Sequence, residues 1–408
     1  MGRALAAAAA VAIAAAAAGA VGAAGAGAPR VTDGEARPGA GHGGAEKRGV
    51  VFVANAEDGT VSIVDARRLR VLRTIDVLPD GAAATVGDDD AVQALAGQQL
   101  IELAGGENFV QDQDVSPNGR VLYVSRGHRG DVAAFRIRTG ELLWKTPVSG
   151  LRADHMTLSG DGRRLYVSAM TADVVHAIET RGGTIAGSFR TGEWPHDNHL
   201  SPDGERLYNA SIGNILLPRE LRATRSGTYR LTVVDPASLE ILGTYEFEDG
   251  VRPFVLTADE RRLYAQLSHF HGIVELDLQR GQIRRRLELP IDPGVTEEDF
   301  DFEAPHHGLD LSGDQRTLYA AGRASDYVAL VSRRRMRPRA IIEVGDAPGW
   351  ATTGPGGRRC FVPNNRDGTL SVISYRKRRE LARLRVGDGP KHVEAARVPT
   401  RVIGSVRD

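Results

Sequence analysis

Eleven histidines are spread over this 408-residue chain, and several stand beside groups that would make them chemically useful. His155 follows Asp154, His196 and His199 flank Asp197, His269 and His271 enclose Phe270, His306 and His307 are adjacent, and His392 lies near the C-terminus. Neutral imidazoles are the commonest protein ligands for zinc and copper, so three or more brought to one point can hold either ion. His155, His196, His199 and His307 are the set singled out for that role. The same residues offer a second chemistry, because an imidazole beside Asp154, Asp197 or Glu303 can act as a general base whose pKa its neighbours tune. No nucleophile elbow, phosphate loop or zinc-protease motif accompanies them. The single cysteine, Cys360, excludes an internal disulfide and reads as a small core residue.

A repeat is what would bring such distant histidines together. An apolar strand, a Ser-Pro-Asp-Gly-like turn and a Leu-Tyr-Val strand recur along the chain. The turns are Ser116-Pro117-Asn118-Gly119, Ser159-Gly160-Asp161-Gly162 and Ser201-Pro202-Asp203-Gly204. Degenerate copies follow at Thr257-Ala258-Asp259-Glu260, Ser312-Gly313-Asp314 and Gly354-Pro355-Gly356-Gly357. A strand-rich period of roughly 40–45 residues, stretched in two units by long insertions, is the signature of β-propeller blades. Each unit continues with alternating strands such as Thr60 to Asp65 and Val71 to Ile75, which makes four strands per blade. Val50-Val51-Phe52-Val53 is a second strand without a first, and His392 to Ala396 is a first strand without a second. Pairing them closes the ring and removes two sheet edges. The predicted fold is all-β, a seven-bladed β-propeller of four-stranded blades over residues 48–399, and a monomer is expected.

These units resemble the YVTN β-propeller repeat family, the YncE-like group of exported bacterial proteins. Phe52-Val53-Ala54-Asn55 with Thr60-Val61-Ser62-Ile63-Val64-Asp65, and Leu122-Tyr123-Val124-Ser125, match its repeat. The resemblance implies the fold and leaves function open, since that family and its relatives include binding proteins, lactonases and cofactor enzymes. Its repeat often carries Pro-His-Gly before a first strand, which Pro195-His196 and Pro305-His306-His307-Gly308 fit. A single imidazole there is therefore also accounted for by a hydrogen bond to neighbouring backbone. The His306-His307 pair is similar to histidines in the propeller of nitrous oxide reductase. Without that enzyme's cysteine-bearing copper domain, the likeness implies no such activity.

The first strand of a blade lies nearest the central channel, and its start shares a face, here called the top, with the turn between strands two and three. The long connections Leu78 to Val110, Ser211 to Arg230 and Pro290 to Pro305 all fall on that face, the first with a predicted helical lid over Asp90 to Leu103. So do Asp154, His155, Trp194, His196, Asp197, His199, His269, His271, His306, His307, Trp350 and His392, which are the predicted ligand-binding residues. Asn55, Arg126, Asn364 and Asn365 occupy turns there, where Asn also caps turns through its own side chain. The acidic run from Glu297 to Glu303 offers a cation site or a solvated loop. The bottom face carries Arg163-Arg164, Arg261-Arg262, Arg333-Arg334-Arg335 and Arg376 to Arg379, a basic ring able to touch an anionic surface weakly.

Charge is balanced, 52 Lys and Arg against 52 Asp and Glu, so nucleic acid is not an expected partner. Residues 1–28 read as a signal peptide, with Arg3, an Ala-rich stretch and small residues at Ala24-Gly25-Ala26; a retained anchor is the alternative, for which Ala and Gly are poorly suited. Residues 29–47 read as a disordered linker and 400–408 as a tail. The expected protein is secreted, periplasmic or on the cell surface. It binds a small molecule or protein partner at the top mouth without catalysis. The alternatives are a copper- or zinc-dependent hydrolase, lactonase or oxidoreductase, and a wall-associated scaffold using the basic bottom.

Overall fold

The Ser-Pro-Asp-Gly-like segments share one turn because their side chains build it. In the structure, a computed structural model, Ser116 Oγ donates to Asn118 Oδ1 at 2.9 Å, and the Val121 N–H donates back to Ser116 Oγ at 2.9 Å. The equivalent bond, now from hydroxyl to carboxylate, joins Ser159 to Asp161, Ser201 to Asp203, Thr257 to Asp259 and Ser312 to Asp314. The fourth residue turns left-handed, which suits Gly119, Gly162 and Gly204 and is imposed on Glu260 and Gln315. The degenerate copies at Thr257 and Ser312 therefore still fold as the turn because the hydroxyl and the carboxylate are kept, whereas Gly354 to Gly357 makes it with backbone bonds, the Gly357 N–H donating to the Gly354 carbonyl at 2.9 Å.

The structure describes residues 46–83, 101, 107–217, 219–223, 229–300 and 304–403. The predicted signal peptide and nearly all of the linker, most of the predicted lid, Asp301 and Glu303 lie outside them. Seven antiparallel four-stranded sheets stand as blades around an axis. Their inner strands are Pro390–Pro399 (blade 1), Asp112–Val115 (2), Ala153–Leu158 (3), Pro195–Leu200 (4), Val251–Leu256 (5), Leu309–Leu311 (6) and Thr352–Thr353 (7). Blade 1 closes the ring as predicted: Lys47–Asn55 pairs with Pro390–Pro399, with Phe52 opposite Glu394 and Ala54 opposite His392.

The core lies between blades. Second and third strands are buried on both faces by their neighbours, so Val50 to Val53 and Leu122 to Val124 are buried without alternation, whereas the outer strand Gln282–Glu288 alternates. One cluster joins Phe52, Ile63 and Ile75 of blade 1 to Leu122, Val124 and Phe135 of blade 2. Each such side chain contributes about 1.5–3 kcal/mol on burial. Val402 and Ile403 join the same cluster from a short helix, Thr400–Ile403, so packing runs past residue 399. Cys360 is fully buried beside Val362 and Ile373. No helix among the described residues is long and apolar enough to cross a membrane.

Candidate functional site: an imidazole cluster at the top of the channel

All inner strands begin at the top, and four of them slip register there. In blade 3 the ladder passes from Ala153 to Met156 opposite Ala169 and Val167, so Asp154 and His155 together face one residue. The same two-against-one slip frees His196 and Asp197 in blade 4, and Arg252 and Pro253 in blade 5. In blade 1 the slip falls at Lys391, between Pro390 and His392. Such bulges re-aim side chains and recur beside functional sites. Here they turn a repeated strand start into a ring of polar groups.

His155, His196 and His307, from blades 3, 4 and 6, are buried and each offers a ring nitrogen within 4.8 Å of the others. Their outward nitrogens are anchored. His196 Nδ1 lies 2.7 Å from Asp154 Oδ1, His307 Nδ1 2.7 Å from the Gly349 carbonyl, and His155 Nδ1 3.1 Å from Asp112 Oδ2. Each acceptor receives a hydrogen bond from Nδ1–H, assigning the tautomer with the Nε2 lone pair inward. The Nε2 atoms of His196 and His307 then face each other at 3.3 Å, and the Gln111 amide meets His155 Nε2 at 3.0 Å. Gly308 permits this packing: its φ is +147°, and a Cβ would stand 2.6 Å from the Trp350 backbone. Trp350 stacks on His155 at 4.8 Å and leans on His392 at 4.3 Å between ring centroids.

The electrostatics separate these groups. Burial pulls His196 down to about 4 against the opposing Asp154 carboxylate. Burial also holds His307 well below its ordinary range, with His196 and Arg252 adding to it. Burial disfavours charge on His155 too, but the Asp112 hydrogen bond and carboxylate, with Asp154, outweigh it and raise His155. Asp154 is fully buried, and burial would raise it; His196, Arg152 and His155 hold it well below the usual carboxylate range. His392 joins through Asp112, whose Oδ1 lies 2.8 Å from His392 Nδ1, making Asp112, His155 and His392 a second three-donor group.

The remaining predicted residues are placed elsewhere. His199 is three residues beyond His196, roughly 10 Å along the strand, paired with Asp197 at 3.1 Å and edge-on to Phe254. Asp197 turns the same way and accepts from the Phe254 N–H at 3.2 Å. Trp194 packs with Met170 and Ile212. His269 pairs with Asp249 at 3.3 Å. His271 and His306 form a separate group, with His306 Nε2 3.1 Å from both His271 Nδ1 and the Tyr327 hydroxyl. Asn55 and Asn364 cap their turns identically, donating to Thr60 and Ser62, and to Thr369 and Ser371. Arg126 is consumed by Asp131 and Asp80. Glu297 accepts from Arg219 at 3.2 Å, tying two top-face loops together. Sequence reasoning missed Asp112 and Gln111, which anchor His155, and Arg152, which binds Asp154 at 2.9 Å. All three precede or begin inner strands, the position that marked the histidines.

No known family model matches the chain. It is 28% identical over 154 residues to the seven-bladed β-propeller protein Rv1057 of Mycobacterium tuberculosis, a match spanning 36% of this chain and 38% of that one. It is 24% identical over 371 residues to protein NirF of Pseudomonas aeruginosa, spanning 86% and 81%. Among solved structures, the periplasmic gluconolactonase PpgL of Pseudomonas aeruginosa superposes with a TM-score of 0.60 at 18% identity, covering 86% of this chain and 99% of that one. Likeness at that identity speaks for the fold. The chain is a seven-bladed β-propeller with β-propeller relatives in sequence and in structure.

Proposed function

We propose that the chain is an exported propeller, YVTN-like in its repeats, that holds a zinc or copper ion on His155, His196 and His307 and uses it to bind a small molecule at the top mouth. One observation carries this reading: two neutral imidazoles point Nε2 lone pairs at each other across 3.3 Å, with both Nδ1 protons fixed by acceptors. Two such lone pairs repel unless a cation lies between them. Metal–nitrogen bonds of about 2.05 Å at a tetrahedral angle separate the nitrogens by about 3.3 Å. The carboxylate and carbonyl behind the rings are the usual outer partners of metal-ligating histidines.

Imidazole suits zinc and copper alike. Three protein donors is also the number found in catalytic zinc sites, so the reading extends to a metal-dependent hydrolase or oxidoreductase. A bound ion would supply Lewis acidity; Asp154 and Gly349 orient the rings, and Trp350 shields them from water. PpgL is named periplasmic, in keeping with export here. The test is metal analysis of untagged protein. About one zinc or copper per chain, lost in His196→Ala/His307→Ala, is expected. Metal-free protein whose melting ignores added zinc and copper would overturn the metal and leave a metal-free binding mouth.

A further inference from the structure

Far from the histidines, the bottom rim carries a cleft of about 1100 Å³ lined by twelve residues, nine of them arginine and only one acidic. In a chain of zero formal net charge this is a steep local excess. It is assembled from three blades: Arg285 from the outer strand of blade 5, Arg316 and Arg333 to Arg335 from two bottom turns of blade 6, and Arg378 from blade 7. The lone acid, Glu275, has a side chain only 1% exposed and is already shared by Arg262, Arg284 and Arg285.

Of the remaining cations, Arg339 donates to the Ser332 hydroxyl at 3.3 Å, and most of the others stand unpaired. Among the described residues, the side chains of Arg316, Arg334, Arg335 and Arg378 make no hydrogen bond or ion pair, and the Arg285 Nε is buried without an acceptor. Guanidinium groups crowded together repel, and they match phosphate oxygens as two-pronged donors. We propose that this cleft binds a chain of phosphates, several phosphoryl groups long. The recess favours a chain over a membrane, because a bilayer would meet only the rim and leave the recessed guanidinium groups of Arg262 and Arg285, whose side chains are 25% and 31% exposed, unused. The site is independent of the metal at the opposite mouth.

Calorimetry with sodium tripolyphosphate at 0.1 M salt tests it on the full chain. Wild type binds, and Arg316→Ser/Arg334→Ser/Arg378→Ser binds at least tenfold more weakly with an unchanged far-ultraviolet spectrum. The corresponding triple Lys variant retains charge and loses less, which keeps the test decisive if the Ser variant misfolds. Because tripolyphosphate also chelates metals, His196→Ala/His307→Ala must bind it as wild type does. The site is overturned by wild type failing to bind, by a Ser variant that binds equally, by dependence on the histidines, or by binding to phosphatidylglycerol vesicles that tripolyphosphate does not compete.

Discussion

The two ends of this propeller depart from balance in opposite directions. At the top mouth each Nδ1 of His155, His196 and His307 has an acceptor, and what is left over is the facing Nε2 lone pairs of His196 and His307. In the bottom cleft a single carboxylate, two carbonyls and one hydroxyl are already taken, and what is left over is donors. Both ends use the same blades, joined by the same antiparallel ladders. The difference comes from where the repeat is broken. Bulges at inner-strand starts re-aim polar side chains toward the axis, whereas the bottom turns are regular and spread arginines over an outer rim. That contrast is what the two proposals rest on, a cation at the top and an anion at the bottom.

The largest break in that contrast is expected from Asp154→Asn. The carboxylate is fully buried and bonds His196, Arg152 and the His155 backbone N–H. Removing its charge strands the Arg152 guanidinium in the interior, at a cost of about 3–5 kcal/mol. It also loosens the orientation of His196, which lowers metal affinity about 10–100-fold. Thermal unfolding and a zinc titration read the two losses separately. Unchanged melting would mean that water already serves Arg152.

A pH scan sharpens the contrast, since guanidinium groups do not titrate in the range where imidazoles do. The rest of the molecule has to be subtracted first, and His176 is one such correction, beside His128 and His306, which burial lowers further. His176 is buried between Ser188 and Ser149 hydroxyls, and burial pulls it down to about 4. Between about 4 and its unfolded value near 6.5, the unfolded chain binds the proton and the native one does not. Stability therefore falls as pH drops through that window, by about 3 kcal/mol in all. Denaturant unfolding of His176→Gln is expected to lack that part of the slope. An identical slope in both proteins would place the acid sensitivity elsewhere.

How far these regions could be read from sequence follows the reach of each signal. The blades were legible because the hydroxyl-to-carboxylate turn is local and survives degeneration, as Thr257 and Asp259 show. The gathering of His155, His196 and His307 was legible because ring closure places all strand starts at one mouth. His199 belonged with them only by proximity in sequence. The bulge at His196 and Asp197 lies between the two histidines, and His199 turns to Asp197 and Phe254 instead. Asp112, Gln111 and Arg152 share the histidines' strand-start position but not a metal-ligating imidazole, so residue type did not single them out, and the bulges that aim the site arise from pairing between strands. Trp194 and Trp350 look alike before inner strands, yet one enters an apolar pocket and the other stacks on His155.

Gly308→Ala tests the backbone beneath the top site. A methyl group there meets Trp350 backbone at 2.6 Å and must adopt a φ of +147°. The strain is worth about 1–3 kcal/mol, and relief moves His307 off the Gly349 carbonyl. Melting is expected to fall while metal content falls with it. Loss of stability with full metal content would show that His307 is held by something other than this glycine.

The smallest effect is expected at the bottom, and its smallness is informative. Arg334 is exposed in the turn after Ser332, and among the described residues its side chain bonds nothing. If the cleft were structural, Arg334→Ser would destabilise the protein as Asp154→Asn does at the top. If its arginines await an anion, the substitution relieves repulsion within the cluster and moves the melting temperature by less than about 2 °C. Raising the salt concentration should shrink even that difference, because exposed charges are screened over about 10 Å at 0.1 M. A substantial fall in melting temperature, independent of salt, would mean that Arg334 supports the fold and that the cleft is less open to ligand than its unpaired donors indicate.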